Sequence, residues 1–429
     1  MRVEDVVCTF CGCLCDDLVI ETDGKKIVGV ENGCTLANEK FMGDHRLKSP
    51  IRREGDRWSE VSLNDAIREA AEILLDADRP LLYGWSGTHG EAQSVGVHLA
   101  EILGGVIDNT STVCHGPSIM AIQEVGHPGC TLGQVKNRAD VVLYWGANPI
   151  EAHPRHLSRY TTYADGFFVK NSFRERKLVV VDVRETESAA LADEFVRIEP
   201  GGDYAVLSAL RAIVRGRGEV ITGPVAGVSR EQLVRVADLC MKAKFGAIFF
   251  GLGLTMSPGK NKNIRNAIEL TEELNRHTKF TISPMRGHWN VYGSNEVFCW
   301  ITGYPYAVDF ARGIAFYNPG ETTSVDILRR EECDACLVVA SDPGAHFPRA
   351  CAEHLARIPT IQIDPHVNAT THLCRLQIPV AVTGIDAEGT AYRMDGVPIR
   401  TRKLFDGDHP SDTEILERIY AIVKEAKGA

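Results

Sequence analysis

Four cysteines near the amino terminus have the spacing of a metal–thiolate site. Cys8, Cys11 and Cys15 form a Cys-x2-Cys-x3-Cys run, and Cys34 follows after eighteen intervening residues. A [4Fe–4S] cube takes one thiolate per iron, and a tight trio with a distant fourth lets a single loop wrap three corners. Zinc is the competing occupant, since four thiolates also hold it. Zinc knuckles, however, come as two facing Cys-x2-Cys pairs, and the second pair is missing here. Cys13 lies between ligands and reads as a non-ligand, because four irons leave no vacancy. Electron transfer is the chemistry this pattern puts first.

A second constellation, Cys114-His115-Gly116-Pro117, stands apart from the other cysteines and histidines in a polar, turn-rich stretch after Asn109-Thr110-Ser111-Thr112. A thiol beside an imidazole can be a metal ligand with an acid/base neighbour, or a nucleophile with its base. The structural alternative is a buried cysteine next to a surface histidine. Cys333-x2-Cys336 leads straight into the strand-like Leu337-Val338-Val339 rather than a helix and reads as structural. Cys240 shares an apolar helical face with Leu233, Val236 and Ala237, and Trp145, Trp289 and Trp300 read as packing residues.

The elements that must position these groups alternate. Continuous apolar runs at Leu81 to Tyr83, Val141 to Trp145, Leu178 to Val183, Ala247 to Phe250, Phe280 to Ile282, Ala335 to Ala340 and Ile361 to Ile363 have the character of buried parallel strands. Helical patterns include a segment capped by Ser62, Ala205 to Val214, Ser229 to Lys242 with its Ser-x-x-Gln cap, and Asn261 to Leu274. The alternation predicts an α/β protein with doubly wound lobes. Several strands end in small or polar residues, where open sheets bind nucleotides: Asn148, Asp182, Gly251, Gly253, Asp342 and Asp364. Gly251-Leu252-Gly253 alone is a weak fingerprint, as the third glycine is absent, and serves equally as a tight turn.

The chain has 429 residues, of which 44% are apolar and 24% charged, the composition of a large globular core. Its 47 basic against 57 acidic residues give a net charge of −10, which supplies no general footprint for nucleic acid or anionic membrane. The amino terminus lacks the layout of a signal peptide, no run approaches eighteen apolar residues, and thirteen cysteines without a paired framework suit a reducing compartment. The expectation is a soluble, cytoplasmic protein.

In order and combination, the motifs resemble the molybdopterin oxidoreductases, formate dehydrogenases above all. They are the amino-terminal cysteine run, Val113-Cys114-His115-Gly116-Pro117-Ser118, Trp145-Gly146-Ala147-Asn148-Pro149 with Ala152-His153-Pro154, and Val181-Asp182-Val183-Arg184-Glu185-Thr186 with Ala192-Asp193. Pro200-Gly201-Gly202-Asp203 and Pro284-Met285-Arg286-Gly287-His288-Trp289-Asn290-Val291-Tyr292-Gly293 complete the series. Within that family, Cys11-Gly12-Cys13-Leu14-Cys15-Asp16-Asp17 and Asn148 through His156 look most like the catalytic B subunits of formylmethanofuran dehydrogenases.

The resemblance implies two Rossmann-like lobes with a small iron–sulfur domain, like the first three domains of formate dehydrogenases. The segments would be 1–55 for the cluster, 56–109 with 290–405 for one lobe, 110–289 for the other, and 406–429 for a terminal helix. It also implies two molybdopterin guanine dinucleotides holding tungsten or molybdenum, with Cys114 as the protein ligand and a sulfido group completing the shell. His115 and Arg286 would serve the substrate. Asn148, Asp182, Arg184, Gly201, Asp203, Gly251, Gly253, Asn290, Gly293, Asp342 and Asp364 would line the pterin nucleotides, and Cys8, Cys11, Cys15 and Cys34 would hold one [4Fe–4S] cluster. The implied reaction is reversible reduction of CO2 to formate, the first step of methanogenesis from CO2. The implied partners are a small β-barrel subunit over the pterins, an amidohydrolase-like subunit joining formate to methanofuran, and polyferredoxin-type electron carriers. A stand-alone formate dehydrogenase and a non-redox scaffold of a formyltransferase/hydrolase complex are the alternatives. One departure stands out: formate dehydrogenases carry a lysine two residues after the fourth cluster cysteine, where this chain has Leu36, and Lys40 is the nearest substitute.

Overall fold

The computed structural model describes residues 1–55 and 57–428. They form two compact units, Met1–Val113 with His288–Ala429, and Cys114–Gly287. Among the described residues no helix is long and apolar enough to cross a membrane.

The Cys114–Gly287 unit is built on five parallel strands in the order Glu194–Arg197, Lys177–Asp182, Val141–Trp145, Phe245–Phe250, Lys279–Pro284. All of Val141–Trp145 and all but the first residue of Phe245–Phe250 are buried, which is why these strands read as unbroken apolar runs. Helices Asp203–Val214, Arg230–Lys242 and Asn261–Leu274 return the chain between or beside them. The Ser229 hydroxyl accepts the Gln232 N–H and starts the second of these helices, which turns Leu233, Val236, Ala237 and Cys240 into the core. Leu233 and Val236 each contribute roughly 1.5–3 kcal/mol by leaving water. In chain order the strands run 3-2-1-4-5 across the sheet, so the winding reverses between Val141–Trp145 and Phe245–Phe250.

The other unit carries a nine-stranded mixed sheet whose parallel centre runs Val106–Asn109, Pro80–Gly84, Ala335–Val339, Thr360–Ile363, Leu376–Ile378. Its winding reverses between Pro80–Gly84 and Ala335–Val339. The antiparallel hairpin Ile51–Glu54 and Arg57–Glu60 pairs onto this sheet through Leu376–Ile378, so the boundary expected at residue 55 falls inside a hairpin. A three-stranded antiparallel sheet, Arg2–Val6, Leu18–Thr22 and Ile27–Glu31, frames the cysteine loop. The helix Asp412–Lys427 packs against Leu63–Asp76 and Gly90–Leu103 as part of this unit's core.

Cys333 and Cys336 are buried in the sheet's core, as their position before a strand suggested. Trp300 departs from its expected packing role: it sits on helix Val291–Thr302, 58% exposed, edge-on to Tyr392.

Asp412 is buried and accepts the Thr88 hydroxyl and, at 2.8 Å, the Thr413 N–H. Burial outweighs these bonds and pushes its carboxyl from 3.8 up to about 6. The folded protein therefore holds this proton more tightly than the unfolded chain does. The stability it confers is fully present below 3.8 and is lost as pH rises through about 6. Asp412→Asn is expected to gain thermal midpoint relative to the parent as the pH is raised from about 4 to about 7. A midpoint difference independent of pH would contradict the shift.

Candidate functional site

Cys114 follows a short 3-10 turn, Thr110–Val113, and precedes the helix Gly116–Val125, whose N-cap is His115. The Thr255 hydroxyl donates to the Cys114 carbonyl at 3.1 Å. Burial pushes the Cys114 thiol up to about 11, while the Arg286 charge and the Gly287 N–H pull it down. A thiol so placed ionises readily once a cation binds it. His115 is buried, with Nε2 at 3.0 Å from the Met285 carbonyl and Nδ1 at 2.9 Å from the Ser118 hydroxyl. A carbonyl can only accept, so Nε2 carries the proton and Nδ1 accepts from Ser118. Burial, aided by the Arg286 charge, holds His115 down to about 3, a neutral imidazole.

Arg286 is 4% exposed. Its carbonyl accepts from His153 Nε2 at 2.8 Å, and burial lowers His153 as well. Met285, Arg286 and Gly287 thus each offer a backbone group to a separate side chain: His115, His153 and Cys114. In the sequence His153 is visible only as part of a motif. Its role at this segment needs the fold, because it lies 133 residues from Arg286.

At the winding reversal of the same unit, Gly146 has φ 54° and packs on Gly253. A Cβ on Gly146 would lie 2.7 Å from the Gly253 Cα, and one on Gly253 would lie 2.6 Å from the Gly146 Cα. The Gly251 N–H donates to the Trp145 carbonyl (3.0 Å) and the Gly253 N–H to the Gly146 carbonyl (3.0 Å). Gly251 and Gly253 therefore fit two loops together, and neither amide faces a ligand. Asp203, expected as a nucleotide contact, is buried and accepts the Trp145 indole N–H at 2.8 Å, and burial raises its carboxyl. Asn148, Asp182, Arg184 and Gly201 remain at or near the surface. Asn148 is braced by Ser188 (2.6 Å) and Glu187 (2.7 Å), and Asp182 accepts the Val183 N–H (2.8 Å).

In the other unit, Gly84 has φ 122°, and a Cβ there would fall 2.0 Å from the Val339 carbonyl oxygen. Trp85 (φ 70°) and Ala340 (φ 48°) hold the strained left-handed region beside this reversal. Asn290 is fully buried: its amide donates to the Thr88 carbonyl (2.7 Å) and accepts the Tyr392 N–H (2.8 Å). A Cβ on Gly293 would meet Asn290 Oδ1 at 2.1 Å. Both residues thus staple a helix start, where nucleotide contacts were expected. Asp342 accepts from Thr370 N–H (2.8 Å) and Oγ1 (2.6 Å), and burial pushes Asp364 up to about 7.

The cysteine loop lies in this unit too. The Cys8 N–H donates to the Cys15 carbonyl (2.8 Å), the Leu14 N–H to Cys11 (3.1 Å), and the Met394 N–H to Gly12 (2.9 Å), so the loop is closed on itself and tied down. Cys8 and Cys15 are buried. Burial and the neighbouring Cys11 and Cys15 push Cys8 up, and a hydrogen bond with Cys13 lowers Cys11. Thiols crowded in one closed loop are the donor set an iron–sulfur cube uses. Cys34 stands immediately before helix Thr35–Met42. Among the described residues no three His, Cys, Asp or Glu side chains are gathered as ligands of a single metal ion. A cube spreads its thiolates over four irons, so it does not call for that gathering. Lys40 is one helical turn beyond Leu36. Its ammonium donates to the Thr9 carbonyl (2.5 Å), lies 5.8 Å over the Trp289 ring, and is brought down to about 8 by burial against the pull of Cys8 and Asp364.

A mixed α/β protein with parallel sheets and these motifs is a distant homologue of the formate dehydrogenases. Formate dehydrogenase H of Escherichia coli is 25% identical over 362 residues, 71% of this chain and 49% of its own length. The B subunit of the tungsten-containing formylmethanofuran dehydrogenase 2 of Methanocaldococcus jannaschii is 51% identical over 431 residues, 99% of each chain. The chain belongs to the family of formylmethanofuran dehydrogenase B subunits. No family model matches it. A chain of the formyltransferase/hydrolase complex FhcABCD from Methylorubrum extorquens, in complex with methylofuran, superposes with a TM-score of 0.72 at 22% identity, over 89% of this chain and 100% of that one, which shows the shared fold.

Two outcomes check this geometry. His115→Ala leaves the Met285 carbonyl unpaired in a buried setting and is expected to cost about 1–3 kcal/mol, read as a lowered unfolding midpoint; an unchanged midpoint would remove the clamp. Cys13→Ala is expected to keep the full iron content of the purified protein. Loss of iron would place Cys13 among the ligands.

Proposed function

We propose that this chain is the redox subunit of a formylmethanofuran dehydrogenase, interconverting CO2 and formate by CO2 + 2e− + H+ ⇌ HCOO−. The observation that carries the reading is the Cys114 thiol, half-buried and held between the Gly287 N–H and the charge of the buried Arg286. Cys114 would hold tungsten or molybdenum. When bound between two molybdopterin guanine dinucleotides with a sulfido ligand, that metal supplies two-electron chemistry at carbon. Asn148, Asp182, Arg184 and Gly201, with Asp342 and Asp364 of the other unit, are the residues proposed for the nucleotide arms.

Arg286 provides a fixed guanidinium for the carboxylate, in surroundings that exclude water and so strengthen the attraction. His115, neutral and engaged at both nitrogens, orients rather than titrates. Cys8, Cys11, Cys15 and Cys34, in segment 1–55, would hold a [4Fe–4S] cluster, which would supply one-electron transfer, with the Lys40 ammonium near Cys8. The working form is an assembly with a small β-barrel subunit, an amidohydrolase-like subunit that makes formylmethanofuran, and polyferredoxin-type carriers, in the cytoplasm. Identity of 51% over the full length to the B subunit of a tungsten-containing enzyme supports the assignment.

Purified native complex is expected to contain tungsten or molybdenum and about four irons per copy of this chain. Cys114→Ala should keep the iron and abolish formate-dependent dye reduction. Zinc alone would defeat the redox reading and favour a scaffold role. Arg286→Lys should keep the metal yet lower turnover by about 100-fold, since a point charge cannot replace a planar fork; unchanged kinetics would remove Arg286 from the site.

A further inference from the structure

Four aromatic side chains on one short segment of the Cys114–Gly287 unit face solvent: Phe167 at 72% exposure, Phe168 at 59%, Phe173 at 52% and Tyr163 at 42%. Phe167 and Phe168 meet edge to face at 4.8 Å between ring centroids, and Tyr163 and Phe173 lie 5.9 Å apart. Their exposed area is roughly 450 Å2, on the 150–250 Å2 that a full aromatic residue carries. Summed over the two ring pairs, that is the amount of exposed apolar area at which surface patches are often functional. It is also about half of the ~800 Å2 that one partner contributes to a standard interface.

The segment is held in place. The Phe167 N–H donates to Asn137 Oδ1 (3.0 Å) and the Phe168 N–H to the Asn137 carbonyl (3.0 Å). A Cβ on Gly166 would fall 2.0 Å from the Lys136 carbonyl oxygen, so the turn passes as close to that backbone as glycine allows. The Arg176 guanidinium bonds the carbonyls of Thr161 and Lys136 from beneath, and Glu175 takes the Lys170 N–H (2.9 Å) and the Asn171 amide (2.6 Å). Rings presented on such a pinned turn lose little entropy on contact, which is what distinguishes a docking surface from a loose loop.

The rim is cationic. Arg138 lies 4.5 Å over the Phe168 ring and Arg174 lies 5.8 Å over the Phe173 ring. Among the described residues neither forms an ion pair. Aromatic rings with flanking arginines are the composition of interface hot spots. We infer that Tyr163, Phe167, Phe168 and Phe173 form a docking surface for another polypeptide of the same assembly, one with an apolar face rimmed by carboxylates. The inference rests on reading the chain as a subunit of a larger complex.

The test uses the intact complex with the photoreactive residue p-benzoylphenylalanine in place of Phe167, and separately the Phe167→Asp, Phe168→Asp double variant. The crosslink is expected to join this chain to a different subunit. In the double variant that subunit should dissociate about 10-fold or more readily by native mass spectrometry. Iron, tungsten or molybdenum, and dye-linked formate oxidation should all be retained. A crosslink to a second copy of this chain, or an assembly whose dissociation is unchanged, would overturn the proposal. Absence of tungsten or molybdenum from the unaltered complex would instead defeat the redox reading and leave the crosslink result standing.

Discussion

Three successive peptide groups tie separate loops of the Cys114–Gly287 unit to one segment. The carbonyls of Met285 and Arg286 and the N–H of Gly287 hold His115, His153 and Cys114. The two imidazoles arrive from different loops and grip one segment through separate carbonyls, so they do not compete for an acceptor. The result is a thiol, a neutral imidazole and a guanidinium fixed to one backbone. Lateral movement of that segment would disturb all three together. Much of the site's pre-organisation therefore lies in hydrogen bonds that touch no substrate.

Each unit solves the same packing problem at its winding reversal. Two strands that diverge in chain direction around the sheet leave a crevice at their carboxyl ends, where open α/β sheets take ligands. Gly146 against Gly253 closes the floor of one crevice, and Gly84 against the Val339 carbonyl closes the floor of the other. In both cases a side chain would collide with backbone. These glycines are thus explained by backbone contact inside the protein.

Most strands of the two parallel centres are legible in the sequence because a buried parallel strand is apolar throughout, whereas Val106–Asn109, Glu194–Arg197 and Leu376–Ile378 are too short or too exposed to stand out. The patterns bound Val141–Trp145 and Asn261–Leu274 to the residue. Helix Gly90–Leu103 is among the helices the patterns do not mark: its glycines lower helix propensity, and the fold needs one of them, since a Cβ on Gly96 would strike the Trp85 ring at 2.4 Å. Cys114, His115 and Arg286 are legible as motifs and come together as neighbours. Asp203, Asn290, Gly251, Gly253 and Gly293 sit in the same motifs but serve the framework, a distinction that hydrogen-bond partners reveal and spacing does not. Lys40 shows the reverse case: it lies one helical turn beyond Leu36, and only the fold shows its ammonium at the Thr9 carbonyl and over the Trp289 ring.

The account stands or falls on what Cys114 holds. Metal-edge X-ray absorption of the native complex and of Cys114→Ser measures this directly. The account predicts an all-sulfur protein-and-pterin shell around tungsten or molybdenum, in which one sulfur is replaced by a nearer, lighter scatterer in the variant. An identical shell in both proteins would contradict it.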